Sequence, residues 1–303
     1  MGEPARDKSI PSTKQSQAIP IFLLTTLLIS SVFYFLIIRS GHMGAGLGGY
    51  VAGLMWSPGI AALLTCKFLG RSPATLGWRW GKTRYVVIGY FIPLCYGIVI
   101  YGFVWLTGPG GVYQKHFVDE ITKSFGLGPM PPWAGIALYF AFTATFSVIR
   151  DCATVLGEEI GWRGFLAPEL AKSHGFPATA AITGFIWAIW HYPVILFADY
   201  HGASPAWFYI PLLTIMLPFL TFLWVWLRLK SGSIWPCVAL HAAHNTFIQQ
   251  FFDPLTVYRE KTGYVAGEFG AAILVIAILM AAWLWRRRAE VEGGDAAAYG
   301  VHP

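Results

Sequence analysis

The chain has 303 residues, of which 56% are hydrophobic and only 12% charged, with a mean hydropathy of +0.56. A soluble domain carries about 25% charged residues, so this chain cannot cover its own surface in water and needs a lipid bilayer around it. The formal charge of +6 is not a nucleic-acid footprint, because the basic residues sit between apolar runs and read as topology signals.

The first 18 residues are polar, with Arg6, Lys8 and Lys14. The apolar run that follows lacks an A-x-A cleavage site and reads as an anchor rather than a signal peptide. Runs of roughly 20 residues, enough to span a bilayer, follow in order: Ile19–Ile38, Gly46–Leu69, Tyr85–Leu106, Pro132–Leu156, Phe176–Phe197, Trp207–Leu227, Ile234–Phe252 and Gly267–Trp285. They predict an all-α, polytopic transmembrane helix bundle of about eight helices over residues 19–288. The third loop, Gly108 to Pro131, is expected to hold a short amphipathic segment on the outer face. The tail Ala289–Pro303 is small, polar and expected to be disordered. No internal repeat is visible, which disfavours an inverted-repeat transporter.

Loop charges set the expected orientation. Arg71, Arg79, Lys82 and Arg84 crowd the second loop, Arg228 and Lys230 follow the sixth helix, and Arg286–Arg288 follow the eighth. The third and seventh loops instead balance Lys115, Lys123, Arg259 and Lys261 against Asp119, Glu120, Asp253 and Glu260. The positive-inside rule then puts the even loops and both termini in the cytoplasm of a multi-pass cell-membrane protein. Cys66, Cys95, Cys152 and Cys237 are scattered in or beside apolar runs and read as free thiols.

Acidic residues are scarce in the spans, none occurring between Asp7 and Asp119. Glu158 and Glu159, in Gly157-Glu158-Glu159-Ile160-Gly161-Trp162-Arg163-Gly164, therefore stand out. On a helix Glu159 and Arg163 are four apart and can pair, while Glu158 points about 100° away and is left for chemistry. Gly157, Gly161 and Gly164 permit close approach by another helix. The plainer alternative is a charged helix end at the interface.

His191 lies in the otherwise apolar Trp187-Ala188-Ile189-Trp190-His191-Tyr192-Pro193, and alone reads more readily as a hydrogen-bonded core histidine than as a catalytic one. His241 and Asn245 share a helix face, with His244 a rival about 60° away; the plainer role for this cluster is interhelical hydrogen bonding. A turn at Ser173-His174-Gly175 would leave Glu158 16 positions before His174 and His191 17 after it. In an antiparallel hairpin both then lie about 24 Å from the turn. An element running from Pro132 to Lys172 would be about 60 Å long and must kink or project. If the hairpin projects, Glu158, His191 and His241 fall in the cytoplasmic half of the membrane.

Such a set suits peptide hydrolysis. A carboxylate and a histidine take a proton from water, while a second histidine and an asparagine donate to the developing oxyanion. The same groups, Glu158, His191 and His241, can alternatively hold a divalent metal such as zinc that activates bound water.

Glu158-Glu159-x-x-x-Arg163, Trp187-x-x-x-His191 and His241-x-x-x-Asn245, in that order, resemble the three motifs of the CPBP family. This is the CAAX prenyl protease and bacteriocin-processing (Abi) family of intramembrane proteases. The resemblance covers a core of roughly 157–246. It implies that Glu158 activates water with His191 as its partner, that His241 and Asn245 stabilise the oxyanion, and that Glu159 and Arg163 support the site. It also implies a membrane-associated protein or peptide substrate, prenylated in the CAAX case, and either a metal or a metal-free glutamate mechanism. Trp187 stands where phenylalanine is usual. No H-E-x-x-H, G-x-G-D pair or G-x-S-G motif supports another intramembrane protease class. The rival from a different class is a non-catalytic membrane protein, such as an immunity factor, scaffold or small transporter, that uses the polar cluster structurally.

Overall fold

The computed structural model describes residues 17–44, 48–126 and 128–292. The chain is all-α apart from one two-stranded ribbon. Helix α1 is Ala18–Ser40 and α2 Gly49–Phe68; Gly46, taken as the start of the second span, lies outside the described residues. Helix α3 is Thr83–Thr107, and α4, Lys115–Ser124, is the short amphipathic segment expected in the third loop. Helix α5 runs unbroken over Pro132–Ala171. Helices α6 and α7 are Phe176–Phe197 and Ala206–Ser231. Helix α8 starts as Trp235–His244 and continues through Asn245–Phe252 into Asp253–Leu255, and α9 is Ala271–Arg286. Each of the eight expected spans therefore contains a helix, the last starting at Ala271 rather than Gly267. Among the described residues α1, α2, α3, α5, α6 and α7 are long and apolar enough to cross a membrane, and α9 is a shorter apolar helix.

Side-chain patterning explains how the helices sit. In α1 the buried residues Ala18, Phe22, Thr26, Ser30 and Tyr34 recur every four positions, which makes one narrow stripe. Leu24, Leu27, Leu28 and Phe35 are exposed, and lipid is the solvent that suits them. Helices α2 and α5 cross where Gly157 and Gly161 lack side chains. A Cβ on Gly157 would lie 2.4 Å from the Trp56 Cα, and one on Gly161 would lie 2.4 Å from the Pro58 Cβ. The expected close approach is therefore made against α2.

Helices α5 and α8 widen to π-helix at Thr143–Ser147, Ile160–Leu166 and Asn245–Phe252. Pro168 and Pro254 follow two of these stretches and lack the N–H that would bond four residues back. In each stretch a carbonyl takes a hydrogen bond from another helix. The Tyr90 hydroxyl donates to the Ala144 carbonyl (2.5 Å), Arg228 Nε to that of Arg163 (2.9 Å), and the Tyr139 hydroxyl to that of Gln250 (3.2 Å). Such widened turns expose carbonyls and often mark functional segments. Here two of the three carry motif residues.

Contacts between connections fix the parity of the bundle. At one end His42 pairs with Asp199, and Gly110–Val112 (β1) pairs antiparallel with Thr256–Tyr258 (β2). At the other end Ile234 N–H donates to the Gly77 carbonyl, Arg71 pairs with Glu169, and Lys230 pairs with Glu290. Odd connections thus meet odd, and even meet even, as the charge alternation predicts. The even end carries the basic clusters. The tail begins with an ordered turn, Ala289–Glu292, where Glu292 accepts from the Phe176 N–H; residues 293–303 lie outside the described residues.

Candidate active site

The α5–α6 hairpin turns at 172–175, as expected, and sets Glu158 and His191 on facing helices. The Trp187 Nε1–H, one helical turn before His191, donates to Glu158 Oε2 at 2.7 Å. His191 Nδ1 lies 2.8 Å from the Trp187 carbonyl. A carbonyl only accepts, so Nδ1 carries the proton, and Nε2 of the neutral ring has a free lone pair. Glu158 is 2% exposed and has no salt-bridge partner among the described residues.

Its neighbour Glu159 behaves differently. Arg163 Nη1 donates to Glu159 Oε1 at 3.1 Å, with both side chains fully buried, and His241 Nδ1 donates to the same oxygen at 2.8 Å. The Arg163 guanidinium also stacks over Trp187 at 4.2 Å and Trp224 at 5.3 Å. The expected i,i+4 pair is present, and it gains a function that spacing alone does not give: it holds His241 from α8. Trp187 is the centre of the arrangement, its ring 5.6 Å from His191 and 5.4 Å from His241.

A chamber of about 690 Å³ is lined by Glu158, Trp187, His191, His241, His244 and Asn245, with apolar residues of α2 and α7. That size and lining suit a peptide segment or small ligand. All four expected catalytic residues therefore share one space. Both supporting residues, Glu159 and Arg163, stand behind it. His244, the rival to His241, is also in the wall, with Nδ1 hydrogen-bonded to the Tyr96 hydroxyl. Asn245 Oδ1 accepts from Gln249 Nε2 at 3.4 Å. Asp151 ties α5 to α8 by accepting from Thr246 and Gln250.

The geometry bears on two further expectations. Among the described residues no group of three or more His, Cys, Asp or Glu side chains is disposed to hold a metal ion. Glu158, His191 and His241 line one chamber without forming such a set. The second concerns depth. The loop residues that line the chamber (Met43, Gly44, Gly48, Tyr200 and Glu268) all belong to the odd end, and no even-end loop lines it. His191 lies six positions from the odd end of α6, about 9 Å, but 15 from its start, about 22 Å. By the same count Glu158 lies 13 positions from the even end of α5 and His241 six from the even-end start of α8, so the four groups sit in the middle of the bundle while the chamber extends to the odd-end loops.

Tyr200, Gln249 and Glu268 were not picked out from the sequence. Two of them sit in loops, where neither helical periodicity nor span depth gives a position.

The fold and this chamber define a multi-pass helical membrane protein with a buried glutamate–histidine site. Residues 133–247 match the family model described as Type II CAAX prenyl endopeptidase Rce1-like. CAAX prenyl protease 2 of Methanococcus maripaludis is 31% identical over 72 residues, covering 21% of this chain and 27% of that protein. Within these stretches the chain is similar to the Rce1-like type II CAAX prenyl endopeptidases and to CAAX prenyl protease 2. It spans about a quarter of the length of that curated relative.

Proposed function

We propose that this chain is an intramembrane endopeptidase that hydrolyses a peptide bond in a membrane-associated protein or peptide. The observation that carries this reading is the convergence of Glu158, His191, His241 and Asn245 on one chamber, in the order of the family motifs. Glu158, held through Oε2 by Trp187, and the free Nε2 of His191 take the proton of an attacking water. The water oxygen bonds to the peptide carbonyl carbon, and the charge moves to the carbonyl oxygen. Asn245 and His241 stabilise that oxyanion, His241 as an imidazolium whose Nδ1–H is neutralised by Glu159. The C–N bond then breaks, and the proton taken from water passes to the leaving amine.

In this reading the basic even end, with the termini, lies in the cytoplasm. The chamber is then approached from the opposite face or from the bilayer, and a prenylated terminus presented in the cytoplasm would require the reverse topology. Single cysteines at Lys261 and Arg71, labelled with an impermeant maleimide in intact cells, test the orientation. Labelling at 261 alone is expected, and labelling at 71 alone overturns it.

The proteolytic reading is tested with fluorogenic peptides ending in a CAAX sequence, farnesylated or unmodified, and the purified protein in detergent. Glu158→Gln, His191→Ala and His241→Ala should each abolish cleavage seen with the wild type. Folded variants that cleave at the wild-type rate overturn it.

A further inference from the structure

Part of the chamber wall lies beyond the stretch 133–247 that matches the family. Glu268 sits between the helical turn Thr262–Val265 and α9. Its backbone is fixed by Gly267, whose φ of +82° suits glycine and whose N–H donates to the Tyr101 hydroxyl at 3.2 Å. The Glu268 carboxylate receives two donors: the Tyr200 hydroxyl at Oε1 (2.7 Å) and Gln249 Nε2 at Oε2 (2.9 Å).

Each donor reaches a residue of the reaction centre. The Tyr200 ring stacks on His191, with centroids 5.9 Å apart and planes 30° apart. The second hydrogen of Gln249 Nε2 goes to Asn245 Oδ1 at 3.4 Å. With Oδ1 occupied by a donor, Asn245 is left with Nδ2, the donor an oxyanion requires. Tyr200 also packs edge-on against Phe269, with ring centroids 5.3 Å apart. Tyr200, Gln249 and Glu268 also line a second cavity of about 440 Å³ on the odd-loop side, together with Asp199 and Asp253. The three side chains are a partition between two cavities, and hydrogen bonds tie them to one another.

We propose that Glu268 is a positioning residue which, through Gln249, fixes the Asn245 amide with its N–H donor toward the reacting carbonyl, while Tyr200 anchors the carboxylate against His191. The proposal rests on the proteolytic reading above. Glutamine at 268 presents one acceptor where two donors converge, so Gln249 is released or turned.

The test uses the same fluorogenic peptide and the purified full chain. Glu268→Gln and Gln249→Ala should lower kcat by about 10- to 100-fold, the range for a misplaced catalytic group, with KM changed less than about twofold. Glu268→Asp should recover part of the loss. In an Asn245→Ala background the same two substitutions should cost less than about threefold, because the residue they orient is already gone. A general loosening of the fold would lower kcat by the same factor in both backgrounds, and that result overturns the proposal. So does wild-type kcat in Glu268→Gln when Glu158→Gln is inactive. If Glu158→Gln itself cleaves normally, the proteolytic reading fails instead and takes this one with it.

Discussion

Glu158 and Glu159 are adjacent, both almost completely buried, and their replacement by glutamine should have opposite signatures. Glu159 neutralises Arg163 and accepts from His241 at a single oxygen, in a place closed to solvent. Glutamine there leaves the guanidinium without its counter-charge among Trp187 and Trp224. Breaking a buried pair from one side costs about 3–5 kcal/mol, a large share of a total stability of about 5–15 kcal/mol. Glu158 has no such partner among the described residues, and its hydrogen bond from Trp187 Nε1 at 2.7 Å is one that a glutamine carbonyl also accepts. Glu158→Gln should therefore change stability by less than about 1 kcal/mol while removing the proposed general base, a group that contributes about 10²- to 10⁴-fold. Unfolding in dodecyl sulfate mixed micelles, followed by tryptophan fluorescence, measures the first quantity, and peptide cleavage the second. In the double variant Glu159→Gln/Arg163→Met, stability should return toward wild type, because an apolar side chain replaces the stranded charge. Equal destabilisation by the two glutamines, or a stable Glu159→Gln protein, refutes the division of labour between the two carboxylates.

Three further results are expected. Trp187→Phe keeps the aromatic packing on His191 and His241 but removes the indole N–H on Glu158. A hydrogen bond to a charged group contributes about 1.5–3 kcal/mol, so kcat should fall by about tenfold or more; an unchanged kcat shows that the bond does not hold the carboxylate. Gly157→Ala inserts a methyl 2.4 Å from the Trp56 Cα, and overpacking of this kind costs about 1–3 kcal/mol; a variant with wild-type unfolding midpoint disproves the close crossing of α2 and α5. Burial pushes the Glu268 carboxyl up to about 7, with Tyr200, His241, Asp253 and Glu158 as its ionisable neighbours. A raised carboxyl stabilises the fold at pH below its unfolded value near 4.5, and this contribution is lost as pH rises through 7. The melting temperature of the wild type relative to Glu268→Gln should therefore fall between pH 5 and pH 8, and a constant difference contradicts the burial of that group.

What the sequence made legible was what depends on local spacing. Span lengths and loop charges located all eight helices and the parity of their connections, because lipid imposes a length and charge a side. Four-residue spacing found Glu159–Arg163, and the order of short motifs found the residues that share the chamber. The wider turns at Ile160–Leu166 and Asn245–Phe252 were not legible. Pro168 and Pro254 each mark a missing donor, but the partners that the carbonyls of these turns find, Arg228 and Tyr139, are far away in sequence.

The same distinction explains why the chamber reaches the odd end. Glu158, His191 and His241 were placed by counting along helices, which fixes their separation from a turn but not which loops close over them. Tyr200 and Glu268 come from two different odd connections and meet through one hydrogen bond, a contact that no periodicity encodes. The helical half of the site falls within the family-matched stretch, and Glu268 lies outside it. In the proposed reaction the helices carry the groups that transfer protons and hold the oxyanion, while the loop partition sets the direction of the Asn245 amide. Changes in the partition should therefore alter turnover without removing any group that touches the substrate bond, and that separates its role from that of the motif residues.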